Sequence, residues 1–428
     1  MIKGKYFPYG IHVRDEKAAT RDKPIEQIPA PAEVAICVSQ HIGAPAVPVV
    51  SAGDTVKKGQ LVAEASGALS ANVFASVSGQ VVGVEELVNP FGVRQKYVRI
   101  KNDFKDEAVT LPDMKDFSPQ SIVGRIREAG IVGLGGAGFP TAVKLSPQNR
   151  LDTLIVNAAE CEPYLNCDFR LMLEKTDGIV KGIRYVAQAL GIRQILIGIE
   201  ANKPEAIERF EGVGGMTVVR LKKQYPMGSE KHLVYCCTGR KIAPGKMPFD
   251  VGCLVQNVKT LLAAYEAIDL NLPLTEIVMT VSGKGIRFPK NVRVPIGTSF
   301  EDIAAFCGGE TDRPVKYVVG GPMMGKALYN LRQYAKKTDS GLLFLTEGET
   351  SLEAPSNCIN CGRCAKNCPM RLMPMYIEFY TLAGDYEAGK KYGALSCIEC
   401  GSCAYNCPAK RALVQSIVLC KNKLKEKK

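Results

Sequence analysis

The sequence predicts a multidomain α/β protein: a β module, a central Rossmann-like α/β domain, a second strand-rich domain and a small helical domain. Three observations predict it. Residues 34–101 hold short β-rich runs (AICVSQ, VPVVSAGDTVKKGQLVAEASG, SVSGQVVGVEEL, KYVRIKND) broken by glycine turns such as Gly53-Asp54 and Gly59-Gln60. From 131 to about 270, strand-like and helix-like segments alternate, which argues for a largely parallel sheet. The last quarter repeats one cysteine pattern twice, at Cys358, Cys361, Cys364, Cys368-Pro369 and at Cys397, Cys400, Cys403, Cys407-Pro408.

The cysteines carry the sharpest chemistry. Both runs read C-x2-C-x2-C-x3-C-P, the bacterial ferredoxin spacing for [4Fe–4S] clusters. Three closely spaced thiolates wrap one face of a cubane. The fourth is thrown outward, and in two-cluster proteins it ligates the other cluster. The expected ligand sets are therefore Cys358, Cys361 and Cys364 with Cys407, and Cys397, Cys400 and Cys403 with Cys368. Zinc knuckles or disulfides are the competing readings, the latter disfavoured where thiols stay reduced. Zinc knuckles favour paired cysteines across a long gap, often with histidine, and the chain has only His12, His41 and His232. Two [4Fe–4S] clusters make this a carrier of single electrons.

Composition agrees with a soluble, cored protein: 46% hydrophobic and 23% charged residues over 428 positions. No apolar run approaches the ~18 residues of a membrane helix. The start, MIKGKYFPYGIHVRDEK, lacks a secretory core, so a cytoplasmic location is expected, with the eight other cysteines as free thiols. Formal charge is +12. Two ligated [Fe4S4]2+ cores lower this to about +8, which favours acidic partners, nucleotides or an anionic membrane surface. Nucleic acid is disfavoured, because Trp is absent and the Lys/Arg residues are dispersed.

Element by element, residues 1–30 read as an extended, charged segment closing in PIEQIPAPAE. The β-rich stretch resembles the barrel-sandwich fold of biotinyl and lipoyl carriers. Where those carriers present a modified lysine, this chain reads ASGALSANV, so it is expected to be structural. A helix is predicted after Ser118 (N-cap) and Pro119, ending at Gly130. DTLIVNAAE and ILIGIE read as strands, and RLMLEKTDGIVKGIRYVAQALG as one amphipathic helical stretch. Residues 273–345 return to short strands with a helix opening near Ser299. Between the quartets a helical pair breaks at Gly384, RALVQSIVLCKNKL forms a last helix, and KNKLKEKK reads as a frayed basic tail. The expected domains are 31–105, 115–270, 271–346 and 354–420, flanked by segments 1–30 and 421–428.

Gly133, Gly135 and Gly138 satisfy G-x-G-x-x-G, with Gly136 at one of its free positions, but a helix precedes them and Phe139-Pro140 follows, which does not match a dinucleotide fingerprint. The longer strings are more telling: GLGGAGFPTAVKL, IVNAAECEPYLNCD, YPMGSEKHL and VQNVKTL, in that order. They resemble the flavin- and NADH-binding subunit of respiratory complex I and related hydrogenase subunits. That resemblance implies FMN at the glycine loop, with Lys144 as a cation and Asn157 at ring polar atoms. It puts Glu160 and Glu162 at ribityl or ribose hydroxyls, Asn257 and Thr260 at the phosphate end, and Tyr225, Gly228 and Glu230 in the nucleotide site. The chain departs from the pattern at Leu134, often arginine there, and at Ala159, often aspartate.

Over nearly its whole length the sequence resembles the C subunit of the Rnf complex, the ion-translocating ferredoxin:NAD+ oxidoreductase. The carrying strings are GIHVRDEKAATRDKPIE, SQHIGAP, GLGGAGFPTAVKLSP, NAAECEPYLNCDFRLMLEK, DVGCLVQNVKT, GGPMMG and both quartets. The resemblance implies a β-grasp (SLBB-like) domain over 271–346. It also implies a peripheral subunit on the cytoplasmic membrane face, exchanging electrons between NAD(H), FMN and the clusters beside other Rnf subunits, including the membrane and ferredoxin-like ones. Hydride exchange needs no protein acid or base, so no catalytic residue is assigned. Three alternatives stand beside this reading: a soluble paralogue feeding a cytosolic reductase such as proline reductase, a nucleic-acid-binding cluster protein, and a scaffold subunit with a dead flavin site.

Overall fold

The computed structural model describes residues 4–89, 92–311 and 313–426. The β module is two small sheets. Glu33–Cys37, Arg94–Asn102, Gly79–Val88 and Thr55–Val56 form one, and Val47–Pro48, Leu61–Glu64 and Val73–Phe74 the other. Val34, Ile36, Val62, Val73, Val98 and Ile100 fill the space between them. The ASGALSANV segment does join two antiparallel strands. It is pinned rather than free: Asn72 Nδ2 donates to Glu128 O at 3.1 Å.

The central domain has a four-stranded, all-parallel sheet in the order Thr217–Leu221, Gln194–Glu200, Thr153–Ala158, Cys253–Asn257. Helix Pro119–Glu128 opens as expected, with Ser118 accepting from the Ser121 N–H. The long amphipathic stretch is divided: Lys175 leaves the helical conformation between Cys167–Glu174 and Thr176–Leu190. The break lets the first helix turn its N-terminus toward Glu160, while the second packs against Val258–Asp269.

The third sheet runs Ile25–Gln27, Lys290–Pro295, Glu276–Ser282, Gly341–Leu345, Lys316–Val319, Lys326–Leu328. Helix Phe300–Phe306 crosses it under a Ser299 cap. Its first strand corrects one expectation, because the N-terminal segment is not simply extended. It contributes a short helix, Ala18–Arg21, and an edge strand of this sheet, and Lys5 bridges to Leu221 of the central sheet. In the C-terminal domain, helices Pro374–Leu382 and Tyr386–Lys391 part at Gly384 (φ 77°). The basic tail is also corrected. Helix Leu413–Glu426 runs through it, and Lys421 Nζ turns back to Cys397 O and the Glu399 carboxylate.

Lys337 sits where the β module, the central domain and the third sheet meet. Its ammonium is buried and, among the described residues, donates only to neutral carbonyls, Asn72 O at 2.6 Å and Gly130 O at 2.8 Å. Burial pushes its pKa down to about 7. The unfolded chain holds that proton up to the ordinary lysine range, so above pH 7 it binds more protons than the folded chain, and stability rises with pH. Relative to Lys337→Met, the wild type should gain thermal stability between pH 7 and 9. The slope should approach about 1.4 kcal/mol per pH unit. A difference in melting temperature that stays flat across that range would contradict a depressed lysine.

Candidate functional site

From Thr153–Ala158 the chain moves to Gln194–Glu200 on one side of the sheet and later returns to Cys253–Asn257 on the other. The order therefore reverses between Thr153–Ala158 and Cys253–Asn257. In open α/β sheets such a reversal opens a ligand crevice at the carboxyl ends of the strands. Asn157 and Asn257 are register partners at those ends.

The glycine loop closes over this crevice. Gly133 N–H donates to Phe139 O at 2.9 Å, and Leu134 N–H to Thr260 Oγ1 at 3.0 Å. The Leu134 side chain is buried, so it takes no part in the open face of the loop. Gly135 presses on Asn257: a β-carbon there would stand 2.5 Å from its side chain. Gly136 is the opposite case, for a β-carbon there would meet nothing within 4 Å. Gly135, Gly136 and Ala137 are exposed, and among the described residues no acceptor takes their N–H groups. Open, glycine-lined amide donors at a switch point fit the phosphate or ring acceptors of a flavin nucleotide.

Around the loop, Lys144 Nζ donates to Glu230 Oε1 and Val255 O, both at 2.7 Å. Asn157 Nδ2 donates to Gly228 O at 2.9 Å. Asn257 caps helix Val258–Asp269 and donates to Asp168 Oδ2 at 2.7 Å. The structure thus gathers Gly133–Gly138, Lys144, Asn157, Gly228, Glu230, Asn257 and Thr260.

Glu160, Glu162 and Tyr225 are engaged elsewhere. The Glu160 carboxylate accepts the N–H groups of Asp168 (2.7 Å) and Phe169 (3.1 Å), capping helix Cys167–Glu174, with Lys17 Nζ 4.0 Å away. Glu162 accepts the N–H groups of Met323 and Met324, each at 3.0 Å. Burial pushes each of these two carboxyls up to about 7. Tyr225 is buried and its hydroxyl donates to Cys400 O at 2.7 Å. The sequence pattern assigns no role to Asp168, Met323, Met324 or Cys161, whose Sγ accepts the Gly228 N–H at 3.3 Å. All four lie inside the strings that carried the resemblance, but nothing in their residue type or spacing announces these contacts.

In the C-terminal domain Cys368, Cys397, Cys400 and Cys403 line one apolar cavity with Ile398, Val414 and Ile417. Burial raises all four thiols, Cys397 to about 11, and the neighbouring cysteines add to the rise at Cys397, Cys400 and Cys403. Four crowded thiols in an apolar hole are poor thiolates unless a cation neutralises them, and iron supplies that charge. The other quartet is more open. Cys358 and Cys361 are exposed, and Cys364 packs with Cys407 against Met375 and Leu413. Cys364 is raised by burial, with Cys407 and Cys358 contributing. Cys403 belongs to the same apolar cluster as Cys364 and Cys407, so the two quartets adjoin.

The fold and these sites define an electron-transfer flavoprotein of the FMN and double-[4Fe–4S] class. Family models match in chain order: the RnfC barrel sandwich hybrid domain over 5–105, the Nuo51 FMN-binding domain over 126–266, the SLBB domain over 278–327 and the 4Fe-4S dicluster domain over 351–408. The C subunit of the proton-translocating ferredoxin:NAD(+) oxidoreductase complex of Clostridium ljungdahlii is 48% identical, covering 96% of this chain and 93% of its own. The C subunit of the ion-translocating oxidoreductase complex of Rhodobacter capsulatus is 45% identical over 98% of this chain and 83% of its own. The Na(+)-translocating counterpart of Acetobacterium woodii is 39% identical over 99% and 98%. A crystal structure of an NAD+-reducing [NiFe]-hydrogenase shares the fold at a TM-score of 0.51 and 18% identity, over 72% of this chain and 64% of that one. The chain belongs to the RnfC family, the C subunits of ion-translocating ferredoxin:NAD+ oxidoreductase (Rnf) complexes.

Proposed function

We propose that this chain is the NAD(H)-reacting subunit of a membrane-bound ferredoxin:NAD+ oxidoreductase complex. It passes electrons between NAD(H), FMN and two [4Fe–4S] clusters, while other subunits link that flow to Na+ or H+ movement. Among the described residues no helix is long and apolar enough to cross a membrane, which suits a subunit that docks peripherally on the cytoplasmic face.

The observation that carries the reading is the bond from Tyr225 to the backbone of Cys400. It joins the flavin-type domain directly to the more buried quartet, and that quartet adjoins the exposed one. On this reading electrons pass between the nicotinamide and flavin crevice, the more buried cluster, the exposed cluster and a partner. FMN, when bound, takes two electrons as hydride and releases them singly, which iron–sulfur chemistry requires.

The residues do the positioning. The amides of Gly135, Gly136 and Ala137 hold the nucleotide acceptors. Lys144, kept in place by Glu230 and Val255 O, presents a positive charge beside them. Asn157 and Asn257 supply amide donors and acceptors at the strand ends. Buried Cys368, Cys400 and Cys403, with half-buried Cys397, shield one cluster from water, while Cys358 and Cys361 leave the other open to a redox partner.

The test is anaerobic purification with assays for iron, sulfide and acid-released FMN, followed by NADH under visible spectroscopy. About eight irons and one FMN, with flavin and cluster bands both bleached, are expected. Eight irons with neither FMN nor bleaching would reduce the chain to a cluster-only conduit.

A further inference from the structure

The GGPMMG loop, residues 320–325, has no part in the sites described above, yet it touches both domains that electrons must cross. Glu162 follows the central strand Thr153–Ala158 and reaches into this loop. Its Oε2 accepts the Met323 N–H and its Oε1 the Met324 N–H, each at 3.0 Å. Gly321 lies so close that a β-carbon would stand 2.2 Å from Glu162 Oε2. On its far side the loop rests on the Cys400–Gly401 turn. A β-carbon on Gly401 (φ 76°) would stand 2.5 Å from Met323 O.

Tyr225 completes the junction. Its hydroxyl lies 3.3 Å from Glu162 Oε1 and 2.7 Å from Cys400 O, so the single proton is drawn to the cysteine carbonyl. Ile11, Val13, Cys161, Met323 and Ile398 close around Tyr225 and Cys400, which keeps water away from the bond.

We propose that Glu162, Tyr225 and residues 320–325 form a clasp that seats the Cys400–Gly401 turn on the flavin-binding domain, and that the Tyr225 hydroxyl raises the reduction potential of the cluster held there. The physical reason is electrostatic. An O–H dipole aimed at the peptide of a ligating cysteine puts its positive end toward the cluster, in a dry site, and so stabilises the added electron. Tyr225 and Glu162 are positioning residues. They act through the cysteine backbone and not on the reacting atoms. The proposal rests on Cys368, Cys397, Cys400 and Cys403 holding a [4Fe–4S] cluster.

The experiment is Tyr225→Phe in the full chain, which keeps the ring and its packing and deletes only the hydroxyl. Iron, sulfide and FMN contents are measured beside an EPR-monitored redox titration. Wild-type contents are expected, with the potential of one cluster shifted negative, by roughly threefold to tenfold in its reduction equilibrium, and the other cluster unmoved. Glu162→Gln, which cannot accept both amides equally, should quicken amide exchange at 398–402 and in residues 320–325. Unchanged potentials in Tyr225→Phe, or loss of iron from it, overturn the tuning role. Unchanged exchange in Glu162→Gln overturns the clasp. Failure of the wild type itself to hold two clusters would instead strike the underlying functional reading.

Discussion

Gly136→Val should fold, keep about eight irons and lose FMN to below roughly a tenth of the wild-type content. The expectation follows from what surrounds that position. A β-carbon at Gly136 meets no protein atom within 4 Å, so the valine's first atom enters open space and not the packed chain. It fills the space above the unpartnered amides of Gly135, Gly136 and Ala137, where a flat ring or phosphate must come within hydrogen-bond distance. The neighbouring glycine separates this effect from misfolding. Gly135→Val would drive into the Asn257 side chain, disturbing the cap of helix Val258–Asp269 and its link to Asp168. The two variants should therefore differ in thermal stability while both lose flavin. FMN retained at wild-type stoichiometry in Gly136→Val would falsify the loop as the flavin cradle.

The second large effect distinguishes crosswise from run-by-run ligation. Cys368 belongs by sequence to the first quartet but lines the cavity of the second. Cys407 shows the reverse, packing with Cys364. Cys368→Ser should therefore strip the buried cluster, about four irons, and stop NADH from bleaching the cluster that remains. The buried cluster is the one in contact with Tyr225, so its loss breaks the path from the flavin domain. Cys407→Ser should strip the exposed cluster, leave the buried one reducible by NADH, and abolish only onward transfer to a partner. EPR of NADH-treated samples reads both cases. If instead Cys368→Ser left an NADH-reducible cluster and Cys407→Ser did not, each quartet would be ligating its own cluster.

These two predictions also mark where sequence reading succeeds and where it stops. The caps at Ser118 and Ser299 and the helical break at Gly384 are legible because each depends on residues within a turn of one another. The parallel sheet follows from alternating apolar runs, and the loop around Gly133–Gly138 from its residue types. The helical stretch 170–191 reads as unbroken, because no glycine or proline stands at Lys175, where the backbone leaves the helical conformation between Cys167–Glu174 and Thr176–Leu190. The C-terminal lysines read as frayed because charge alone does not reveal Lys421 folding back onto Cys397 O.

Glu160 and Glu162 make the same point at the site. As sequence they are two acids beside a glycine loop, suited to hydroxyl groups. In the fold both carboxylates are already engaged, one by the N-terminal amides of a helix and the other by residues 323 and 324. Whether a carboxylate faces a ligand depends on which backbone amides reach it first, and those amides come from other elements.

Cofactor chemistry and the order of the domains are written locally in the chain, because ligand spacing, turn glycines and hydrophobic periodicity are properties of neighbouring residues. The packed fold is what settles which quartet faces the flavin domain, which acids remain open to a nucleotide, and how the cluster is seated. Tyr225 and Cys400 lie 175 positions apart, and Glu162 and Met323 161. Contacts across such separations arise when packed sheets and helices bring distant backbone together, and no local pattern in the chain encodes them.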